Sequence, residues 1–416
     1  MPTPLTAPRR PVPSRPAVLA ALLLPVATGG CDSEPPGPAP WSVRDSAGIR
    51  IVESRWRPQE LAEGWSVGSE PTLSIGVLEG APEEELHQVA GAARLSDGRL
   101  AILDAGTDRL RVFGPDGAFL HEVGGPGEGP GEFVDPTLAG RLGDTLLVYD
   151  LRLRRLTRVH PDDGPGASIP VPADGGGFPV PRGVLADGTV IFGGGMYFSS
   201  ADGFPSGVVR TPSPFRSVSP DGRVAARFGE FPGAEMFARV DDGGFMARSL
   251  PFGRITVAAA SDSLVWIGTA DAWQLEVYDP SGRLVRLQRL AAPRRPVTSA
   301  MVDALLRDAV EGVDDEDEER ALRELWAEMP PADLVPPYDD LVVGRPGSLW
   351  VRDHRLPGRE RVGWTVFAPA GHAVGRLELP SRWSLLEVGD DELVVRAPDD
   401  LGVERVRVYP LVRGSG

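Results

Sequence analysis

The chain has 416 residues, with 59 acidic against 43 basic side chains and a formal net charge of −16. That balance disfavours nucleic acid or an anionic membrane surface as a partner. Every basic residue is arginine, and neither lysine nor asparagine occurs, which excludes Schiff-base chemistry, a phosphate-loop lysine and N-glycosylation sequons.

Residues 1–30 read as an export signal. Arg9, Arg10 and Arg15 precede a short apolar stretch, Ala17 to Ala27, that is too short for a permanent membrane span. The stretch ends in Thr28-Gly29-Gly30-Cys31, and Cys31 is the only cysteine. This resembles a bacterial lipobox, which implies cleavage before Cys31 and lipidation on it, although Thr28 stands where leucine is usual. Cleavage would remove three arginines and no acid, taking the charge from −16 to −19. The Pro-rich segment Asp32 to Pro40 reads as a semi-rigid tether. The expected organisation is a signal peptide over 1–30, acylated cysteine and tether over 31–64, and a repeat domain over 65–413.

From Leu95 onward a strand, a tight turn and a second strand recur. The first turn falls at Asp97-Gly98, Gly143-Asp144, Asp187-Gly188, Asp262-Ser263, Pro346-Gly347 and Asp390-Asp391, at spacings of 46, 44, 75, 84 and 44 residues. Apolar runs follow each turn, such as Leu100 to Leu103 and Leu146 to Tyr149, as expected of strands covered on both faces. A second hairpin repeats as Gly114-Pro-Asp-Gly117, Ser219-Pro-Asp-Gly222, Asp279-Pro-Ser-Gly282 and Ala368-Pro-Ala-Gly371, which is chain-reversal chemistry. A period of roughly 45 residues means four-stranded blades or solenoid turns. The sixth copy lacks its last strand, and Leu73-Ser-Ile-Gly76 supplies one from the N-terminus; Ile49-Arg-Ile-Val52 is a second candidate, or an extra outer strand. The fold class is therefore all-β, a six-bladed β-propeller closed by an N-terminal strand. Its longer insertion, 297–330, is helical: Thr298 or Ser299 caps one amphipathic segment, and the acidic run Asp314 to Glu319 separates it from a second.

These repeats, with the loop Gly124-Gly-Pro-Gly-Glu-Gly-Pro-Gly-Glu-Phe133, resemble the NHL-repeat and related six-bladed propellers, and among them propeller lipoproteins. The resemblance implies a ring with a central channel, many members serving as binding platforms and a minority as metal-dependent hydrolases or lyases. Propeller topology puts the turns between strands one–two and three–four on one face. The two–three loops and inter-blade connections lie on the other, which gathers His87, Asp104, Glu128, Glu132, Asp150, Asp353 and His354 as a candidate ligand face. Salt bridges Asp104–Arg109 and Asp150–Arg155 are expected across the hairpin loops. The Gly124–Phe133 loop is not a phosphate cradle, because prolines remove amide donors and no helix follows. Three of the five histidines do not converge for zinc, and an all-carboxylate calcium site is the remaining metal option. No catalytic set can be assembled. The expected function is a lipid-anchored, extracytoplasmic binding module for an envelope protein, peptide or glycan, with a metal-dependent hydrolase or lyase as the alternative.

Overall fold

A computed structural model describes residues 39–173, 179–194, 205–241 and 244–413. The signal segment and residues 31–38, Cys31 among them, lie outside the described residues, whereas the rest of the 31–64 stretch expected as a tether holds the strands Trp41–Ser46 and Ile49–Arg55 and the short helix Pro58–Ala62.

All six first turns join an innermost strand to a second strand. Blade one comprises Val89–Arg94, Leu100–Asp104, Arg109–Phe113 and Phe119–Gly124; blade two comprises Pro136–Leu142, Thr145–Asp150, Arg155–His160 and Gly164–Pro170. Blade three is built from Pro181–Leu185, Val190–Phe192, Pro212–Val218 and Val224–Pro232, and blade four from Val257–Asp262, Leu264–Gly268, Gln274–Tyr278 and Leu284–Ala291. Asp340–Gly344, Ser348–Arg352, Arg361–Phe367 and Ala373–Pro380 form blade five; Ser384–Val388, Glu392–Arg396 and Val406–Val412 begin blade six. Second strands are buried almost throughout, whereas the outer strand Phe119–Gly124 alternates in exposure. The difference follows from stacking: a second strand has blades on both sides, an outer strand only partly so. The core is accordingly a series of interfaces, such as Ala101, Leu103 and Leu110 of blade one against Phe133, Leu146 and Val148 of the next.

Leu73–Ile75 and Ser66–Val67 pair antiparallel with Val406–Val412, so the N-terminus completes blade six. This removes the open edge that strands at the two chain ends would leave. The other candidate, within Ile49–Arg55, is an extra outer strand: it pairs parallel with Leu284–Ala291 of blade four and carries Trp41–Ser46 outside it. Between these strands the chain crosses blade five. Arg376 lies over the Trp56 ring at 4.6 Å, and Trp65 Nε1 donates to the Val374 carbonyl at 3.1 Å. Gly375 makes room, since a Cβ there would sit 2.3 Å from the Trp65 ring. One N-terminal segment thus fastens blades four, five and six.

Blades three and four are joined by a parallel ladder between their innermost strands, Gly183 to Ala260, Val184 to Ser261 and Leu185 to Asp262. Small side chains permit this approach: Gly183 stands opposite Ala260, where a Cβ on the glycine would lie 2.4 Å from the Ala260 carbonyl oxygen. Corresponding glycines in blades one and two, Gly91 and Gly140, face Leu138 and Val184 of the following blade.

The 75-residue spacing has its own structure, a three-stranded sheet of Gly207–Val209, Met236–Asp241 and Gly244–Ser249. The 84-residue spacing contains helices Ser299–Val310, capped by the Thr298 hydroxyl, and Glu316–Glu328. Most of the acidic run is therefore the start of the second helix rather than a spacer. The Asp315 carboxylate accepts the Asp317 and Glu318 N–H groups, and acids in the first turn complement the helix dipole. Leu325 and Met329 pack on Leu250, Phe237 and Met246, so the two insertions share a small core.

Candidate binding groove

Both insertions leave the ring from the face of two–three loops and inter-blade connections, between blades three, four and five. Two adjoining cavities lie at their base, one of about 1030 Å³ and one of about 560 Å³. Arg295, Asp353 and His354 line both, which makes them one groove with a junction at those residues. The floor of the larger cavity is the blade-four loop Ala270–Trp273; its walls are the feet of the helical insertion, residues 290–296 and 330–337. Six prolines in those feet (293, 296, 330, 331, 336 and 337) restrict the backbone that frames the opening.

The loops are held by buried polar staples. Tyr338, with no exposed surface, donates to the Gln274 carbonyl at 2.8 Å and accepts the Ala270 N–H at 3.2 Å. Trp273 meets the Tyr338 ring edge-on at 5.2 Å. Asp271 pairs with Arg210 at 2.9 Å and with Arg254, which also reaches Glu235. Burial opposes the Asp271 charge, but the Thr269 hydroxyl and the two guanidiniums outweigh it and hold the carboxyl below its usual range.

At the junction Asp353 pairs with Arg376 at 2.5 Å, an approach that needs Gly363 because a Cβ there would collide with both partners. Burial nonetheless raises the Asp353 carboxyl, the Arg376 hydrogen bond only partly offsetting it. His354 Nδ1 stands 3.9 Å from Asp339 without a hydrogen bond. Burial lowers the imidazole below its usual value despite that carboxylate, so His354 is neutral at pH 7.

Two of the seven candidate residues, Asp353 and His354, line the groove. The other five lie in blades one and two. The His87 side chain is exposed, and its backbone N–H donates to Asp104 at 3.2 Å. Asp104 is wholly buried, accepts the Thr107 N–H as well and pairs with Arg111 at 3.3 Å. Asp150, equally buried, accepts the N–H groups of Val134 and Leu153, each at 2.8 Å. Glu132 accepts the Gly129 N–H at 2.8 Å, and exposed Glu128 offers its carbonyl to Arg155.

The expected Asp104–Arg109 and Asp150–Arg155 bridges do not form. Arg109 pairs outward with Glu122, and Arg155 donates to the carbonyls of Glu128, Gly129 and Glu132. Each aspartate starts a tight loop, where backbone N–H groups are its nearest donors; each arginine starts the next strand, with acceptors farther out. Among the described residues no three His, Cys, Asp or Glu side chains are grouped to hold a metal, which leaves the calcium expectation without a ligand set there.

At the opposite mouth of the ring Glu387 of blade six accepts the Arg94 N–H at 2.8 Å, Arg141 at 2.6 Å and Arg345 at 2.8 Å, tying it to blades one, two and five. Among the described residues no helix is long and apolar enough to cross a membrane.

Sequence reasoning missed Glu235, Arg254, Asp271, Trp273 and Arg295. The two long spacings were their signal, the 75-residue one for Glu235 and Arg254 and the 84-residue one for Asp271, Trp273 and Arg295, because they mark where irregular chain is added beside the ligand face.

The DUF5128 family, described as a 6-bladed beta-propeller, matches residues 80–138, which span blade one and the entry to blade two. Among solved structures, a Bacteroides fragilis protein described as exported is 12% identical, covering 88% of this chain and 100% of its own with a TM-score of 0.48. A member of the duf4221 family from Bacteroides vulgatus is 9% identical over 85% of this chain and 99% of its own, with a TM-score of 0.46. Virginiamycin B lyase from Staphylococcus aureus is 10% identical over 84% and 99%, with a TM-score of 0.38. No curated protein matches the chain. By sequence, then, the likeness to six-bladed propellers is carried by the first blade and its connection to the second.

Proposed function

We propose that the chain is a lipid-anchored, extracytoplasmic binding module of the NHL-like propeller type, with Cys31 as its membrane attachment. Its ligand, a peptide or glycan segment of an envelope partner, occupies the groove beneath the insertions. The observation carrying this reading is the groove itself. At about 1030 Å³ its larger cavity matches the upper limit of ligand sites, roughly 300–1,000 Å³. It combines a rigid rim, aromatic surface at Trp56 and Trp273, and charged groups held by partners. Such a site positions a ligand with little reorganisation on binding.

Ala272 is exposed on the groove floor, so an indole in its place fills the opening without entering the core. Envelope-derived peptides and glycans titrated against tryptophan fluorescence should include a ligand that binds the native chain. That ligand should lose at least about tenfold in affinity, about 1.4 kcal/mol, on Ala272→Trp with melting unchanged. Equal binding by both proteins would remove the groove as the site.

A further inference from the structure

We propose that the groove's junction is a subsite for an oxyanion of the ligand, a carboxylate or phosphate, received by Arg295 and Arg359. The inference rests on the binding-groove reading and adds the chemical class of the group that enters first.

The other guanidiniums of the groove floor and junction are already engaged. Arg210 and Arg254 hold Asp271, and Arg376 holds Asp353. Behind the junction, Arg352 holds Asp339 at 2.6 Å. Arg295 and Arg359 line the 560 Å³ cavity and make no side-chain hydrogen bond or ion pair with any described residue. Asp353 feels the Arg295 charge, yet its carboxylate is bonded to Arg376 instead.

The backbone around Arg295 is fixed. Its carbonyl accepts the Val335 N–H at 2.9 Å, and Pro296 bridges to Leu334, so the two feet of the insertion strap this residue over the junction. Neutral His354 adds a polar surface without a competing charge. Carboxylates also line the groove: Glu360 and Glu378 in the smaller cavity, Glu378 being paired with Arg361 at 4.0 Å, and Glu53 and Asp333 in the larger. Two guanidiniums, each a planar fork of donors, suit either oxyanion.

The test follows the His354 imidazole by NMR in the full chain, titrated at constant ionic strength with sodium succinate, potassium phosphate or sodium chloride. An anion bound beside His354 favours the protonated ring, so the signal should move in a saturable way toward the imidazolium position. Saturation by succinate alone assigns a carboxylate, and by phosphate alone a phosphate group; both support the subsite. In the Arg295→Ala/Arg359→Ala protein the apparent affinity should fall about tenfold or more, while Arg295→Lys/Arg359→Lys retains part of it. Responses matching chloride, or an unchanged affinity in the double alanine protein, would overturn the proposal. If Ala272→Trp blocks the natural ligand but the arginine substitutions leave it bound as before, the groove reading stands and the oxyanion subsite falls.

Discussion

Asp104→Ala should cost about 3–5 kcal/mol, a large part of the roughly 5–15 kcal/mol that stabilises a typical domain. The carboxylate is fully buried, and the Arg111 side chain facing it is only 4% exposed. Removing the acid leaves a guanidinium inside the blade with carbonyl acceptors from Glu83 and Glu85 but no countercharge. It also strips the His87 and Thr107 N–H groups of their acceptor. Urea denaturation measures the effect, with Asp97→Ala in the exposed first turn as the comparison. Similar midpoints for the two variants would show that the Asp104 staple is not a principal support of blade one.

Gly183→Ala should be the other large loss, through the seam between blades three and four. The residue has φ of +139°, and a Cβ would lie 2.4 Å from the Ala260 carbonyl oxygen and 2.8 Å from its nitrogen. Both atoms belong to the parallel ladder and cannot move without breaking it. Strain and overpacking together amount to about 2–5 kcal/mol. Gly143→Ala isolates the conformational part, since φ is +58° and nothing stands within 4 Å of its Cβ; about 1 kcal/mol is expected there. Calorimetric melting of both proteins makes the comparison. An equal, small decrease would mean that the seam yields.

Six blades were legible because turn chemistry is local. Asp-Gly and Pro-Asp-Gly reverse the chain wherever they occur, and the apolar run after each turn has no alternative to a doubly covered strand. Ring closure by Leu73–Ile75 was legible from the missing strand of the last copy. The three-stranded insertion was not, because its strands come from two separate connections and pair only with one another. The Asp104 and Asp150 partners were misread for a related reason: position along a hairpin says which residues are near, not whether a backbone N–H lies closer than a guanidinium. Glu387 shows the wider limit, with partners 293, 246 and 42 residues away. The small residues Gly91, Gly140 and Gly183, each before a first turn, were a readable sign of close blade contact.

For the candidate site, the face was legible and the place on it was not. Strand order alone put Asp353 and His354 with His87 and Asp104 on one face, yet insertion feet cover only the sector of blades four and five. That sector is where a ligand finds walls.

A photo-crosslinking residue placed at Ala272, on the groove floor, tests the central claim most directly when compared in intact cells with one at Ser281, in an exposed turn on the opposite face. The account predicts a defined adduct at position 272 that disappears when excess purified chain competes for the ligand, and none at 281. Adducts at 281 with none at 272 would contradict it.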